Sequence, residues 1–297
     1  MRNVLVFALL TLSLLSAAQP ADKPLYPDAT WAGESLRLEN SGIRVVIHKR
    51  LTGWGWVEII HPKGKLMGVL EHFGEVDPVE ENNKLIPLRL EAQGYREEDT
   101  GGQRRLVFPV KARWYEALNT RFWANPKLTQ PFLAGEFAIS LDRSRPLVRL
   151  SYRARALRDV PLRAFRSVWL KPGAASFGAE KHDAMFPGVE WLKASEWSSG
   201  ADYYRHPLAA RFAPHPFKVA APVISLSHGG TAIGVSWDPR EEVVPGKPYP
   251  QPVFASANFL DRVNNHLIGL MAPGVPGAGK RISILSPPAP RNPRSSN

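Results

Sequence analysis

The sequence predicts an all-β fold, a large antiparallel β-sandwich, and three observations predict it. Residues 135–142 alternate strictly: Phe137, Ile139 and Leu141 against Glu136, Ala138, Ser140 and Asp142. Residues 147–156 do the same, with Val148, Leu150, Tyr152 and Ala154 set against Arg149, Ser151, Arg153 and Arg155. Period two gives one apolar face and one wet face, and a sheet with one wet face is an antiparallel habit. Short apolar runs are cut throughout by 28 prolines and 23 glycines, which act as punctuation between strands. No segment has the spacing of a long amphipathic helix.

From the N-terminus, residues 1–18 read as a secretory signal peptide. Arg2 supplies the positive start, Val4 to Leu15 is an uncharged apolar run, and Ser16-Ala17-Ala18 places small residues at a cleavage site after Ala18. The run is shorter than a bilayer span, and no second stretch of that length follows. The expectation is a secreted or periplasmic protein with no transmembrane segment after signal removal. Residues 19–33, with Pro20, Pro24, Pro27 and Trp31, form an irregular lead-in. Residues 34–286 carry the sandwich. The spacing predicts strands at 43–51, 56–61, 66–70, 85–91, 104–115, 135–142, 147–156, 162–170, 219–226, 233–237, 266–271 and 281–285. Asp142-Arg143-Ser144-Arg145-Pro146 is a hairpin-sized break between two of them. Residues 177–205 are the least regular stretch, a long loop of the kind that carries function. Residues 287–297 are a Pro-rich tail, read as disordered or as a linker to a missing C-terminal catalytic domain.

There are no cysteines, which excludes disulfides, zinc–thiolate sites and Cys nucleophiles. The net charge is +11, but basic and acidic residues are interleaved and form no polybasic block. That favours a solvated surface with a preference for acidic polymers. Export argues against nucleic acid as the partner. No nucleophile elbow, metalloprotease helix, phosphate loop or calcium loop is present. The eight histidines lack paired ligand spacing, so neither metal nor cofactor is expected.

The densest candidate site is Glu190-Trp191 followed by Glu196-Trp197. Glycosidases place two carboxylates about 5–10 Å apart. On one extended strand, Glu190 and Glu196 would be about 20 Å apart at about 3.3 Å per residue. The pairs therefore suit binding: tryptophan offers a flat face to a sugar ring and glutamate accepts hydroxyl hydrogen bonds. The competing reading makes both tryptophans core or loop anchors. Arg205, His206 and Asp238 complete the candidate substrate-binding set. Trp169, Trp191, Trp197 and Trp237 could line one groove, although Ile233, Val235 and Trp237 share a face that points to the core. As acid and base only Glu190 and His206 suggest themselves.

Phe186-Pro187-Gly188-Val189-Glu190-Trp191, His215 to Pro222, Gly230 to Pro239 and Asn264 to Leu270 together give the chain a familiar order over residues 35–285. It resembles the galactose-mutarotase-like β-supersandwich that precedes the helical catalytic domain of bacterial polysaccharide-processing enzymes. That resemblance implies a supersandwich of two twisted antiparallel sheets with a concave face for saccharides, and catalytic carboxylates on a helical domain outside this chain. Asn265-His266 is similar to the Asn-His step of aldose epimerases, but Leu267-Ile268-Gly269 follows where those enzymes have an aromatic-rich segment. The expected function is a secreted carbohydrate-binding or accessory domain, its partner a poly- or oligosaccharide, without a complete catalytic centre of its own. Two alternatives stay open: a carbohydrate-active enzyme (epimerase-like, hydrolase or lyase) using Glu190 and His206, and a structural envelope protein.

Overall fold

A computed structural model describes residues 21–26, 29–78, 88–90, 92–100, 103–112, 130–158, 160, 162–173, 181–187, 190–194, 196, 219–240, 251–255, 267–273 and 281–284. Among them there is no α-helix, and the fold is all-β with every paired strand antiparallel. No helix of the described residues is long and apolar enough to cross a membrane. Residues 1–18, expected to be a signal peptide, and the tail of 287–297 lie outside the described residues.

A large sheet contains β1 (Trp31–Glu39), β2 (Arg44–Arg50), β3 (Gly53–Ile60), β4 (Leu66–Leu70), β11 (Leu162–Pro172), β17 (Leu267–Pro273) and β16 (Gln251–Ala255), neighbours in that order. Two short strands, β5 (Glu75–Pro78) and β6 (Leu88–Arg89), extend it beside β11. A middle sheet runs β18 (Arg281–Ile284), β10 (Val148–Ala156), β9 (Leu133–Leu141), β8 (Gln103–Ala112), β7 (Arg96–Thr100). A small sheet runs β13 (Glu190–Lys193), β12 (Asp183–Phe186), β14 (Val223–His228), β15 (Thr231–Ser236).

The two alternating segments are β9 and β10. They pair in unbroken register from Val148 opposite Leu141 to Ala156 opposite Leu133. The turn between them closes because the Asp142 carboxylate accepts from the Ser144 and Arg145 amides at 3.1 Å each. Asn40 then ties this turn to the one after β1. Its Nδ2 donates to Asp142 O at 2.6 Å and Arg145 O at 2.8 Å, and its Oδ1 accepts from Gly42 and Ile43. Gly135 has no room for a side chain: an added Cβ would lie 1.9 Å from the Arg153 carbonyl on β10.

All three sheets turn apolar faces to one core. The large sheet contributes Val45, Ile47, Val57, Leu70, Val168 and Leu270; the middle sheet Leu106, Phe108, Phe137 and Ile139; the small sheet Phe186, Ile224 and Leu226. An aromatic chain runs through it, with Phe73 4.3 Å from Phe137 and 4.6 Å from Phe108, and Tyr152 5.0 Å from Phe137 and 5.9 Å from Phe165.

The large sheet is buried on its other face too, and that face mixes apolar with charged side chains. Val46, Glu58, Val69 and Lys171 lie opposite one another across β2, β3, β4 and β11, and each is buried. Charges survive there because they are partnered. Lys171 Nζ donates to Glu71 Oε1 at 2.7 Å, and His48 Nε2 faces Glu58 Oε2 at 3.3 Å. Glu75 meets His72 Nε2 at 2.9 Å and Arg166 Nη1 at 3.4 Å. The Gly74 amide donates to His72 Nδ1, so Nε2 is the imidazole nitrogen that donates to Glu75.

Burial alone would raise the Glu75 carboxyl, but His72, Arg166 and Arg89 overcome it and hold it at about 2, against an ordinary 4.5. A carboxylate whose folded value is depressed stabilises the fold above its unfolded value and loses that contribution as pH falls. The Glu75 contribution is therefore complete above about pH 4.5 and disappears between there and about pH 2. It is worth roughly 3 kcal/mol at about 1.4 kcal/mol per pH unit. Urea unfolding of wild type and Glu75→Gln across that range measures it. The stability gap is expected to narrow as pH falls from 4.5 to 2; a gap independent of pH would show that the carboxylate is not stabilised there.

Several strands differ from the sequence expectation. β1 begins at Trp31, inside the lead-in of residues 19–33, because Ser35 to Glu39 pair with His48 to Arg44. β3 begins at Gly53, earlier than expected, since all eight of its residues are buried and it shows no alternation. β14 and β15 are displaced from 219–226 and 233–237 by the turn at Gly229 and Gly230, both with positive φ. The loop expected over 177–205 contains the β12–β13 hairpin, whose four-residue strands are too short to show a period.

Candidate functional site

The small sheet presents an outer face built from one residue in two. On β13, Glu190 and Leu192 point inward while Trp191 and Lys193 are exposed. Their cross-strand neighbours are Met185 opposite Trp191 and Asp183 opposite Lys193. The same rows continue through Ser225 and Ser227 on β14 to Gly234 and Ala232 on β15. The face thus carries one indole, one carboxylate, one ammonium and two hydroxyls, and ends on small exposed residues.

Trp191 is 59% exposed, the most exposed aromatic side chain among the described residues. Its ring is nevertheless pinned. Nε1 donates to Asp183 Oδ1 at 3.1 Å, and the other Asp183 oxygen accepts from His182 Nδ1 at 2.6 Å. The His182 hydrogen bond foremost, with the Trp191 N–H behind it, holds the Asp183 carboxyl below its usual range against a smaller desolvation effect. An aromatic ring fixed this way loses little conformational freedom on binding.

The hairpin is locked at its end by Lys181, which is only 3% exposed and donates to the carbonyls of Ala194 and Glu196. Ala194 takes a left-handed φ of 45° to make the turn, and the Glu196 carboxylate accepts from the Lys193 amide at 2.7 Å. These contacts turn the chain at Ala194, so Glu190 and Glu196 do not lie on one continuous strand.

The candidate residues separate. Trp191 stands on the outer face, whereas Glu190 faces the core with a buried Oε2; adjacent strand positions point to opposite sides. Glu196 serves the turn. Asp238 lies beyond β15, where Arg240 holds it through Nε and Nη2 at 3.1 Å each. Trp197, Arg205 and His206 lie outside the described residues, as do His266 and the Asn-His step. Trp169, Trp191 and Trp237 do not line one groove. Trp169 and Trp237 are 5% and 8% exposed; Trp169 lies against Val253 and Trp237 belongs to the main core.

Sequence reasoning missed Asp183, His182 and the two serines. Pro187-Gly188 was the available signal, because a Pro-Gly turn would have folded 183–186 against 190–193. Among the described residues, no group of three His, Asp or Glu side chains is placed to hold a metal ion. Comparison with protein-family models and with curated proteins finds no match for this chain.

Proposed function

We propose that the chain is an exported carbohydrate-binding or accessory β-sandwich of the kind associated with polysaccharide-processing enzymes, and that it holds a sugar ring on Trp191. The observation that carries this reading is the exposed indole, pinned by Asp183 on the outer face of the small sheet. Sugar rings have an apolar face that suits an aromatic platform and a rim of hydroxyls that needs hydrogen bonds. Asp183, Ser225, Ser227 and Lys193 are spaced along the same face to supply those bonds. The basic net charge favours an acidic polysaccharide over a neutral one.

The role is binding rather than turnover, since Glu190 and Glu196 serve the core and the turn. Affinity electrophoresis through gels containing neutral or acidic polysaccharide tests it. Wild type should be retarded by an acidic glycan, and Trp191→Ala should bind about five- to ten-fold more weakly. The substitution leaves the fold intact because the ring is exposed. Equal retardation of wild type and variant, or none in any gel, would remove the sugar-binding reading.

A further inference from the structure

A cavity of about 540 Å³, partly open to solvent, lies where the three sheets meet. Val57 and Leu70 of the large sheet line it, with Ile139 and Tyr152 of the middle sheet and Ile233 and Val235 of the small sheet. This volume is in the range of small-molecule pockets, roughly 300–1,000 Å³. The side chains on its β10 and β15 walls are underburied: Val148, Leu150, Ile233 and Val235 pack on the core but remain half-buried. Well-packed interiors do not leave apolar groups in that state.

The hydroxyls of the lining are those of Tyr152, Ser167, Thr231 and Ser236; Ser167 and Thr231 already donate to the Leu270 and His228 carbonyls. Tyr152 is 3% exposed, and its ring is fixed between Phe137 and Phe165. Among the described residues its hydroxyl makes no hydrogen bond. Burial pushes the phenol above its ordinary value, so it remains an O–H donor. A phenol O–H that no protein group engages is available to donate to a ligand oxygen in the cavity.

The charged residues around the lining are turned away or engaged. Arg149 alternates with Leu150 on β10 and so takes the other face of that strand. Its nearest carboxylate, Asp142, is 3.8 Å away. Asp238 is held by Arg240, and His61 Nδ1 accepts from the Lys63 amide. Nothing in this arrangement would neutralise a charged ligand.

We propose that this cavity binds a neutral, mainly apolar small molecule whose single acceptor oxygen takes a hydrogen bond from the Tyr152 hydroxyl. The site is independent of the sugar-binding reading, because none of Trp191, Asp183, Lys193, Ser225 and Ser227 lines the cavity.

Ligand-observed NMR on the full chain, with methyl nonyl ketone, undecane and decanoate as probes, tests the proposal. The ketone should bind best, undecane about five-fold more weakly for want of the hydrogen bond, and decanoate not at all. Tyr152→Phe keeps the ring and removes only the donor; it should bring the ketone down to the affinity of undecane. Val235→Trp fills the space and should abolish binding of both. If Val235→Trp does not fold, the ketone–undecane split in Tyr152→Phe decides alone. No binding by folded wild type, decanoate binding as well as the ketone, or a Tyr152→Phe variant that still prefers the ketone would each overturn the proposal.

Discussion

Glu58→Ala is expected to destabilise the protein by about 3–5 kcal/mol, the cost of removing one partner from a buried charged network. Glu58 is fully buried on β3. Its Oε1 accepts from the Tyr26 amide at 2.7 Å, and its Oε2 accepts from the Leu25 amide at 2.9 Å and faces His48 Nε2. Burial works to raise this carboxyl, yet His48 and the two amides hold it below its ordinary value. The network reaches further. The Ser35 hydroxyl uses its one proton on the Asp22 carbonyl at 2.6 Å, so His48 Nδ1, 2.8 Å from the same oxygen, is the donor to it. Removing Glu58 leaves His48 Nε2 and two backbone amides without their carboxylate partner, and residues 21–26 lose their anchor on the sheet.

Two measurements check it. Denaturant unfolding reads the stability loss, and limited proteolysis near residues 21–26 should become faster. In a double-mutant cycle, His48→Ala combined with Glu58→Ala should cost less than the two single losses added together, because each single change strands the other partner. Additive losses, or a Glu58→Ala loss below about 1 kcal/mol, would mean that the carboxylate does not organise this face.

That network also shows where sequence reading stops. Strands β9 and β10 were legible because their large apolar residues fall at every second position. On β10 the exposed Arg153 and Arg155 alternate with buried Tyr152 and Ala154, whereas Ala138 and Ser140, the alternate residues of β9, are themselves buried. Trp237 was legible for the same reason, through its spacing from Ile233 and Val235. β3 was legible only in its second half. With both faces covered it reads as a continuous apolar run, and Glu58 within it looks like an exposed position although it is fully buried.

Its ordering power lies in tertiary contacts. Glu71 and Lys171 are 100 residues apart in the chain, and Glu75 and Arg166 are 91 apart. No local spacing encodes such pairs. The candidate site was half legible. The composition of residues 185–192 singled out Trp191, but placing Glu190 beside it as a co-ligand ignored the two-residue period of a strand. Asp183, the true neighbour of the indole, is eight residues away in sequence and adjacent only once the hairpin forms.

Phe137→Ala should match the Glu58 change in size, again about 3–5 kcal/mol, by a different mechanism. Phe137 is fully buried on β9. Its ring lies 4.3 Å from Phe73, 5.0 Å from Tyr152 and 6.2 Å from Phe108, so truncation opens a void among three other rings that cannot all close in. For a chain this long, about 4 kcal/mol corresponds to a fall in melting temperature on the order of 10 °C. Phe137→Leu, which keeps most of the volume, should lose only about 1–2 kcal/mol. The contrast separates packing from any loss of strand register, since both variants keep the backbone pairing.

Phe137 also lies directly opposite Tyr152 in the β9–β10 register. Its ring therefore helps to fix the phenol that lines the inter-sheet cavity. If the cavity binds as proposed, Phe137→Ala should weaken ketone binding more than undecane binding, because the donor is no longer held in place while the apolar walls persist. Calorimetric melting with and without each probe reads both effects. Ketone binding that survives the truncation undiminished would show that Tyr152 is positioned by β10 and Phe165 without help from Phe137.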